Sequence, residues 1–215
     1  AAFSPGPANE SGQSITNVVI SNNNPALFSV PPALALDGTL TFTPATNANG
    51  SATVTVIAQD NGGTASGGVN AVTNVFTLSV VPVNDRPVIA VAGSVTLLED
   101  QGAFSSNSFV TVISLGSADE TGQAITNYAV SSTNAALFSV VPAVDAAGTL
   151  TFTPAPNVSG TALVTVTAQD NGGTLNGGQD ASPGVSFLIT VLAVNDAPGV
   201  AFERNNVIVL EDSGA

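Results

Sequence analysis

The heptapeptide AQDNGGT stands twice in this chain, at residues 58–64 and 168–174, and each time it sets one carboxylate, Asp60 or Asp170, before an Asn-Gly-Gly turn. A turn accounts for the glycines, which reach positive φ without a steric penalty, but Asn or Ser would serve it as well as Asp. Other acidic groups recur with it. Glu10 lies in ANESG, and Asp119 and Glu120 lie in ADETG. Asn84-Asp85 and Asn195-Asp196 each sit inside V-N-D-x-P, and Glu99-Asp100 and Glu211-Asp212 each close a V-x-x-L-E-D segment. Carboxylates, amides and backbone carbonyls are what a hard cation takes as its roughly six to eight oxygen ligands, so Ca2+ is the expected ion.

The rest of the composition removes competing chemistries. Asp and Glu number 15 against two basic residues, Arg86 and Arg204, for a net charge of -13, and there is no His or Cys. A surface of that sign repels phosphate backbones and anionic membranes, so nucleic acid is excluded as a partner and cations are favoured. Without His, Cys or Lys there is no Ser-His or Cys-His nucleophile, no Schiff base, no thiolate zinc site and no disulfide. The chain is 44% hydrophobic and 8% charged, a balance that folds. No uninterrupted apolar run is long enough to span a bilayer, so no membrane insertion is expected.

The carboxylates must be placed by a repeated framework. Residues 6–70 and 116–180 align without a gap and are identical at roughly 40 of about 65 positions, with ALFSV, GTLTFTPA and AQDNGGT shared outright. The period is about 111 residues, the size of one sandwich domain. Three segments follow: a first repeat over 1–87, a complete second repeat over 88–198, and the start of a third over 199–215. TLTFT and ALVTVTA alternate with period two, as strands with one buried face do, and Gly, Asn, Asp and Pro fill the gaps. In the second copy the strand candidates are 94–98, 109–115, 124–130, 136–140, 149–153, 161–168 and 185–194. The predicted fold is all-β, with seven antiparallel strands per repeat in two packed sheets and the sandwiches joined end to end. Phe28 with Phe138, Phe42 with Phe152, and Phe76 with Phe187 recur at inward phases and read as core. Loops at one end of such a sandwich should bring Asp119, Glu120 and Asp170 beside Asn84 and Asp85. Asp37, Asp145 and Asp180 have no acidic counterpart in the other copy and read as solubility charges.

Taken in order, A-x-D-x-G in AQDNG, D-E-x-G in ADETG, the V-N-D-x-P linker and L-E-D at the end of the first strand resemble the calcium motifs of cadherins. The match is closest to the cadherin-like tandem repeats of very large bacterial surface proteins and adhesins, and it covers essentially the whole chain. The resemblance implies an Ig-like sandwich at the cell surface, outside the cell, with calcium at the junctions between repeats. It makes Asp60 and Asp170 ligands from one loop, and Glu10, Asp119 and Glu120 ligands from a second. Asn84, Asp85, Asn195 and Asp196 become linker ligands, while Glu99 and Glu211, each followed by an Asp such as Asp100, come from the far end of the preceding repeat. The linker departs from the animal cadherin pattern: Pro82 or Ala193 stands in place of its first aspartate, its second asparagine is missing, and so is L-D-R-E. One or two ions per junction are therefore expected, not three.

Repetition without a unique site suits a structural extender whose partners are neighbouring repeats of the same protein. The alternative is an adhesion module binding a carbohydrate or protein partner, which needs exposed aromatics, yet the chain has no Trp and one Tyr, Tyr128. An enzyme built on a carboxylate pair is disfavoured because every acidic motif recurs in both copies. The segment 207–210 repeats 95–98. Either the chain is a window on a longer array, or 207–210 inserts into the first repeat of a neighbouring chain and produces a head-to-tail homopolymer with linear, fibrous growth.

Overall fold

The computed structural model describes residues 1–201, so Glu211 and the strand candidate 207–210 lie outside the described residues. Contacts gather the chain into two compact units. One holds Ala1–Ala90, Thr111–Ala129 and Thr167–Val185; the other holds Val91–Val110, Val130–Val166 and the described residues from Ser186 onward.

In the first copy the strands are β1 (Ile15–Asn22), β2 (Phe28–Leu34), β3 (Leu40–Pro44), β4 (Gly50–Asp60) and β5 (Ala71–Val80). Strand β4 pairs antiparallel with β1, Val18 opposite Ala58, and with β5, Val54 opposite Phe76. Strands β2 and β3 form a hairpin with Leu34 opposite Leu40. The alternation of SATVTVIA puts Ala52, Val54, Val56 and Ala58 on one buried face. Leu27 and Phe28 pack there with Ala52, Leu78 and Val80, which joins hairpin to sheet as a sandwich. Each fully buried Val or Leu contributes about 1.5–3 kcal/mol of hydrophobic stabilisation.

The second copy contributes β6 (Val88–Val91), β7 (Val95–Leu98), β8 (Phe104–Ser106), β9 (Val110–Ser114), β10 (Ile125–Ser132), β11 (Phe138–Val144), β12 (Leu150–Pro154), β13 (Gly160–Asp170) and β14 (Val185–Leu192). They form a four-stranded sheet in the order β10-β13-β14-β7, a three-stranded sheet β11-β12-β8 and the pair β6-β9. Two expectations are corrected. The pairing is not wholly antiparallel: β7 runs parallel to β14, with Ile189 opposite Val95 and Leu192 opposite Leu98. Parallel neighbours need a long crossover, and nearly the whole repeat lies between these two strands. Strands β6 and β8 were also not expected; they are short pieces set off by Pro87 and by Gly93 and Gly102, whose φ values are 132° and 76°.

Core aromatics follow the expected pairing of copies with unequal burial. Phe152 is 1% exposed, stacked on Phe104 at 4.8 Å and edge-on to Phe138 at 5.5 Å. Phe42, its counterpart, is 37% exposed and meets only Phe28 among the described ring pairs, at 5.8 Å.

Asp37 and Asp145 have a structural task beyond solubility. Asp37 Oδ1 accepts the Thr39 N–H at 2.8 Å, and Asp145 Oδ1 accepts the Thr149 N–H at 2.8 Å and the Ala147 N–H at 2.9 Å. Those bonds, the Thr39 and Thr149 amides foremost, hold both carboxyls below the usual aspartate range. The two residues occupy different alignment columns and cap the same turn, an Asx-type solution reached from two positions. Among the described residues no helix is long and apolar enough to cross a membrane.

Candidate metal site

Strand β13 keeps its inward phase through Ala162, Val164, Val166 and Ala168 and delivers Asp170 on that same phase, 4% exposed. Asp170 Oδ1 accepts the Gly172 N–H at 2.9 Å and the Asn84 Nδ2–H at 3.1 Å. Its other oxygen, Oδ2, is buried with no donor among the described residues. A carboxylate oxygen taken from water without a partner is costly, unless a cation stands beside it. The neighbouring basic side chain, Arg86, donates instead to Gln179 Oε1.

Asn84 ties the V-N-D-x-P segment to this carboxylate. Its Nδ2 also donates to the Gln179 carbonyl at 2.8 Å, its Oδ1 accepts from Gln123 Nε2 at 2.8 Å, and its own carbonyl accepts the Gln179 N–H at 2.9 Å. Gln123 Oε1 is buried and, like Asp170 Oδ2, has no donor among the described residues. The relay Asp170–Asn84–Gln123 thus ends in an unpartnered oxygen on each side.

The glycines of AQDNGGT now have separate reasons. A Cβ at Gly172 would lie 1.8 Å from Asn84 Oδ1, so only glycine admits the linker amide; Gly173, at φ 78°, makes the turn. In the first copy Asp60 likewise accepts the Gly62 N–H at 2.7 Å, and Gln13 lies against Gly62 where Asn84 lies against Gly172.

Glu120 belongs to a second pair. Its Oε1 accepts the Asp85 N–H at 2.5 Å and its Oε2 the Ser117 N–H at 2.8 Å, and it lies across Gly116, as Glu10 lies across Gly6. Asp119 turns away: its carboxylate accepts from the Ser117 hydroxyl and the Asn49 amide, and the hydroxyl chiefly holds it below the usual aspartate range. Of the five residues expected to converge, Asn84 therefore meets Asp170, Asp85 meets Glu120, and Asp119 faces Asn49. Among the described residues no three acidic side chains form a ready-made cage. A cleft is bounded by Asn84, Asp119, Glu120, Gln123 and Gly172, beside the Asn84–Gln123 pair. Gln123 was not singled out from the sequence, although its recurrence with Gln13 in E-x-G-Q was a usable signal.

At the next V-N-D-x-P, Glu99 is 6% exposed and its Oε1 accepts the Val194 N–H at 2.8 Å, one residue before Asn195. Asn195 and Asp196 are exposed, with Asn195 Nδ2 donating to the Asp196 carbonyl at 3.2 Å, and Asp100 is exposed at φ 65°.

The donor chemistry of the Asp170 group fits a hard cation: a buried carboxylate, two carboxamides and backbone carbonyls, with one oxygen on each of Asp170 and Gln123 left over. Comparison with known proteins bears on the fold. No curated protein sequence matches the chain. Residues 84–179 match the family described as bacterial Ig domain. Among solved structures the chain is similar to human protocadherin-24 EC1-2, with 17% identity, coverage of 81% of this chain and 82% of that one, and a TM-score of 0.53. Mouse protocadherin-24 EC1-3 aligns over 84% of this chain and 58% of that one at 15% identity and a TM-score of 0.45. The match over residues 84–179 and the shared architecture show an all-β fold of the Ig-like, cadherin-like type.

Proposed function

We propose that these are calcium-binding extender repeats of a large extracellular, adhesin-type protein, whose partners are the neighbouring repeats. The observation that carries the reading is the buried Asp170 carboxylate with Oδ2 unpartnered, tied through Asn84 to Gln123 with its own orphan oxygen. Asp170, Asn84 and Gln123 would hold the ion, with Asp85 and Glu120 adjacent to it. Asn84 presently turns Nδ2 toward two acceptors, Asp170 Oδ1 and the Gln179 carbonyl. A bound divalent ion supplies the positive charge that a chain of net charge -13 lacks there.

Ligands from the V-N-D-x-P segment and from loops of the second copy explain why such binding would stiffen a junction: occupancy stabilises the arrangement in which all of them face one point. The acidic set of Glu99, Asn195 and Asp196, with Glu211 in the next copy, would serve the following junctions with one or two ions each. The bacterial Ig match and the cadherin-like fold support a place outside the cell. Calorimetric titration with calcium after exhaustive chelation tests the reading. Saturable uptake of one or two ions per junction is the expected result, and the absence of calcium-specific heat would overturn it.

A further inference from the structure

We propose that Asn176-Gly177 is a modification site, the place at which the folded chain deamidates. The reaction needs an asparagine followed by a residue whose main-chain nitrogen is unhindered, and glycine, with no Cβ, hinders it least. The Gly177 nitrogen, its proton passed to water, attacks Asn176 Cγ, and the side-chain nitrogen leaves as ammonia. The five-membered succinimide so formed takes up one water at either of its carbonyls and opens to aspartate or to isoaspartate. Water is the sole co-reactant, so the inference does not rest on calcium.

Asn-Gly stands four times, at 49–50, 61–62, 171–172 and 176–177, and the dipeptide alone gives the four equal standing. The fold ranks them. Asn61 Oδ1 accepts the Ser14 N–H at 2.9 Å and Asn171 Oδ1 the Ala124 N–H at 2.9 Å, which fixes each side-chain carbonyl. The nitrogens that would attack there, those of Gly62 and Gly172, donate to Asp60 Oδ1 at 2.7 Å and to Asp170 Oδ1 at 2.9 Å. A carboxylate on that N–H also opposes the loss of its proton. Asn49 donates Nδ2 to Asp119, and Gly50 opens β4 opposite Val80, inside the β4-β5 ladder. Asn176 has none of these ties. It stands exposed at φ 56° in the single 3-10 turn Leu175–Gly177, and its side chain makes no hydrogen bond among the described residues. Ser66 holds the matching place in the first copy at the same φ, so that loop lacks the reaction. The isoaspartate product lengthens the main chain three residues before Gln179, whose N–H and carbonyl both bond Asn84. The modification therefore falls on the loop that grips the V-N-D-x-P segment.

Incubation of the full chain at mildly alkaline pH, sampled over time by protease digestion and mass spectrometry, tests the site. In the folded chain Asn176 should convert at least about ten times faster than Asn49, Asn61 or Asn171, which react only from locally opened states. In denaturant, where no fold protects any of them, the four should convert at similar rates. Conversion of any of the other three as fast as Asn176 in the folded chain would overturn the proposal. So would the same ranking persisting in denaturant, or an Asn176 that stays intact in the folded chain over the time in which the denatured chain converts.

Discussion

Replacing Asp170 by Asn separates a ligand from a turn residue, because the two roles use different oxygens. Oδ1 accepts from Gly172 and Asn84, and Asn keeps an oxygen there; Oδ2 is the buried atom without a donor. In chelator the substitution removes an uncompensated buried charge, a desolvation cost of several kcal/mol, and adds a buried NH2 group without an acceptor, a cost of about 1–3 kcal/mol. The balance keeps Asp170→Asn at least as stable as the parent without calcium. A surface position would show no such gain, and at 4% exposure Asp170 is not one.

With calcium the balance shifts toward the parent. At free calcium about one hundred times Kd the parent gains about 2.7 kcal/mol, and if loss of the carboxylate weakens binding about one hundredfold, the variant gains only about 0.4 kcal/mol at the same concentration. For a chain of this size the parent increment is a rise in Tm of about 5–11 °C and the variant increment about 1 °C. Differential scanning calorimetry with and without chelator reads both quantities. A variant that loses stability equally in both conditions would refute the argument and leave Asp170 as a turn residue.

Gly172→Ala should mimic Asn84→Ala in calcium affinity, since the new Cβ would displace the Asn84 amide; Gly173→Ala should cost about 1–2 kcal/mol of stability through its positive φ and leave affinity unchanged. Calcium titration beside chemical denaturation distinguishes the two. Phe152→Ala should cost about 3–5 kcal/mol as a full core truncation and Phe42→Ala much less, read by the denaturation midpoint of each copy's transition. Asp145 is held below the ordinary aspartate range, so its contribution is present above the unfolded value of about 3.9 and is lost as pH falls through the lower folded one. A carboxyl NMR titration should therefore place Asp145 below the free aspartate value of about 3.9, and a midpoint at that value would contradict the turn geometry.

What was legible in the sequence was whatever periodicity controls. Alternation in TVTVIAQD and VTVTAQD marked β4 and β13, and the same phase, carried two residues past Ala168, already implies that Asp170 points inward. The parallel placement of β7 on β14 left no such trace, because pairing between strands more than ninety residues apart is set by the closure of the whole sandwich and not by local pattern. The capping roles of Asp37 and Asp145 were hidden for a different reason. An Asx turn can be closed from either of two positions, so column-by-column alignment of the copies shows two unmatched acids where the backbone shows one shared turn. Asp119 stands beside Glu120 in ADETG, but its carboxylate accepts from Ser117 and Asn49, while Glu120 takes the Asp85 N–H.

The two AQDNGGT loops form an internal control on the meaning of the acidic residue. Both hold the amide of the first glycine, Gly62 or Gly172, on an aspartate Oδ1, at 2.7 Å for Asp60 and 2.9 Å for Asp170, and both anchor the following asparagine to a backbone N–H at 2.9 Å, from Ser14 and from Ala124. The turn is therefore complete in each copy without any further partner. Only around Asp170 do Asn84 and Gln179 close over the carboxylate and bury it, whereas Asp60 remains half-buried. The burial that leaves Oδ2 unpartnered is thus conferred by the V-N-D-x-P segment and not by the loop. A turn gains nothing from that segment arriving, while a cation site gains both its ligands and its exclusion of water from the same contact.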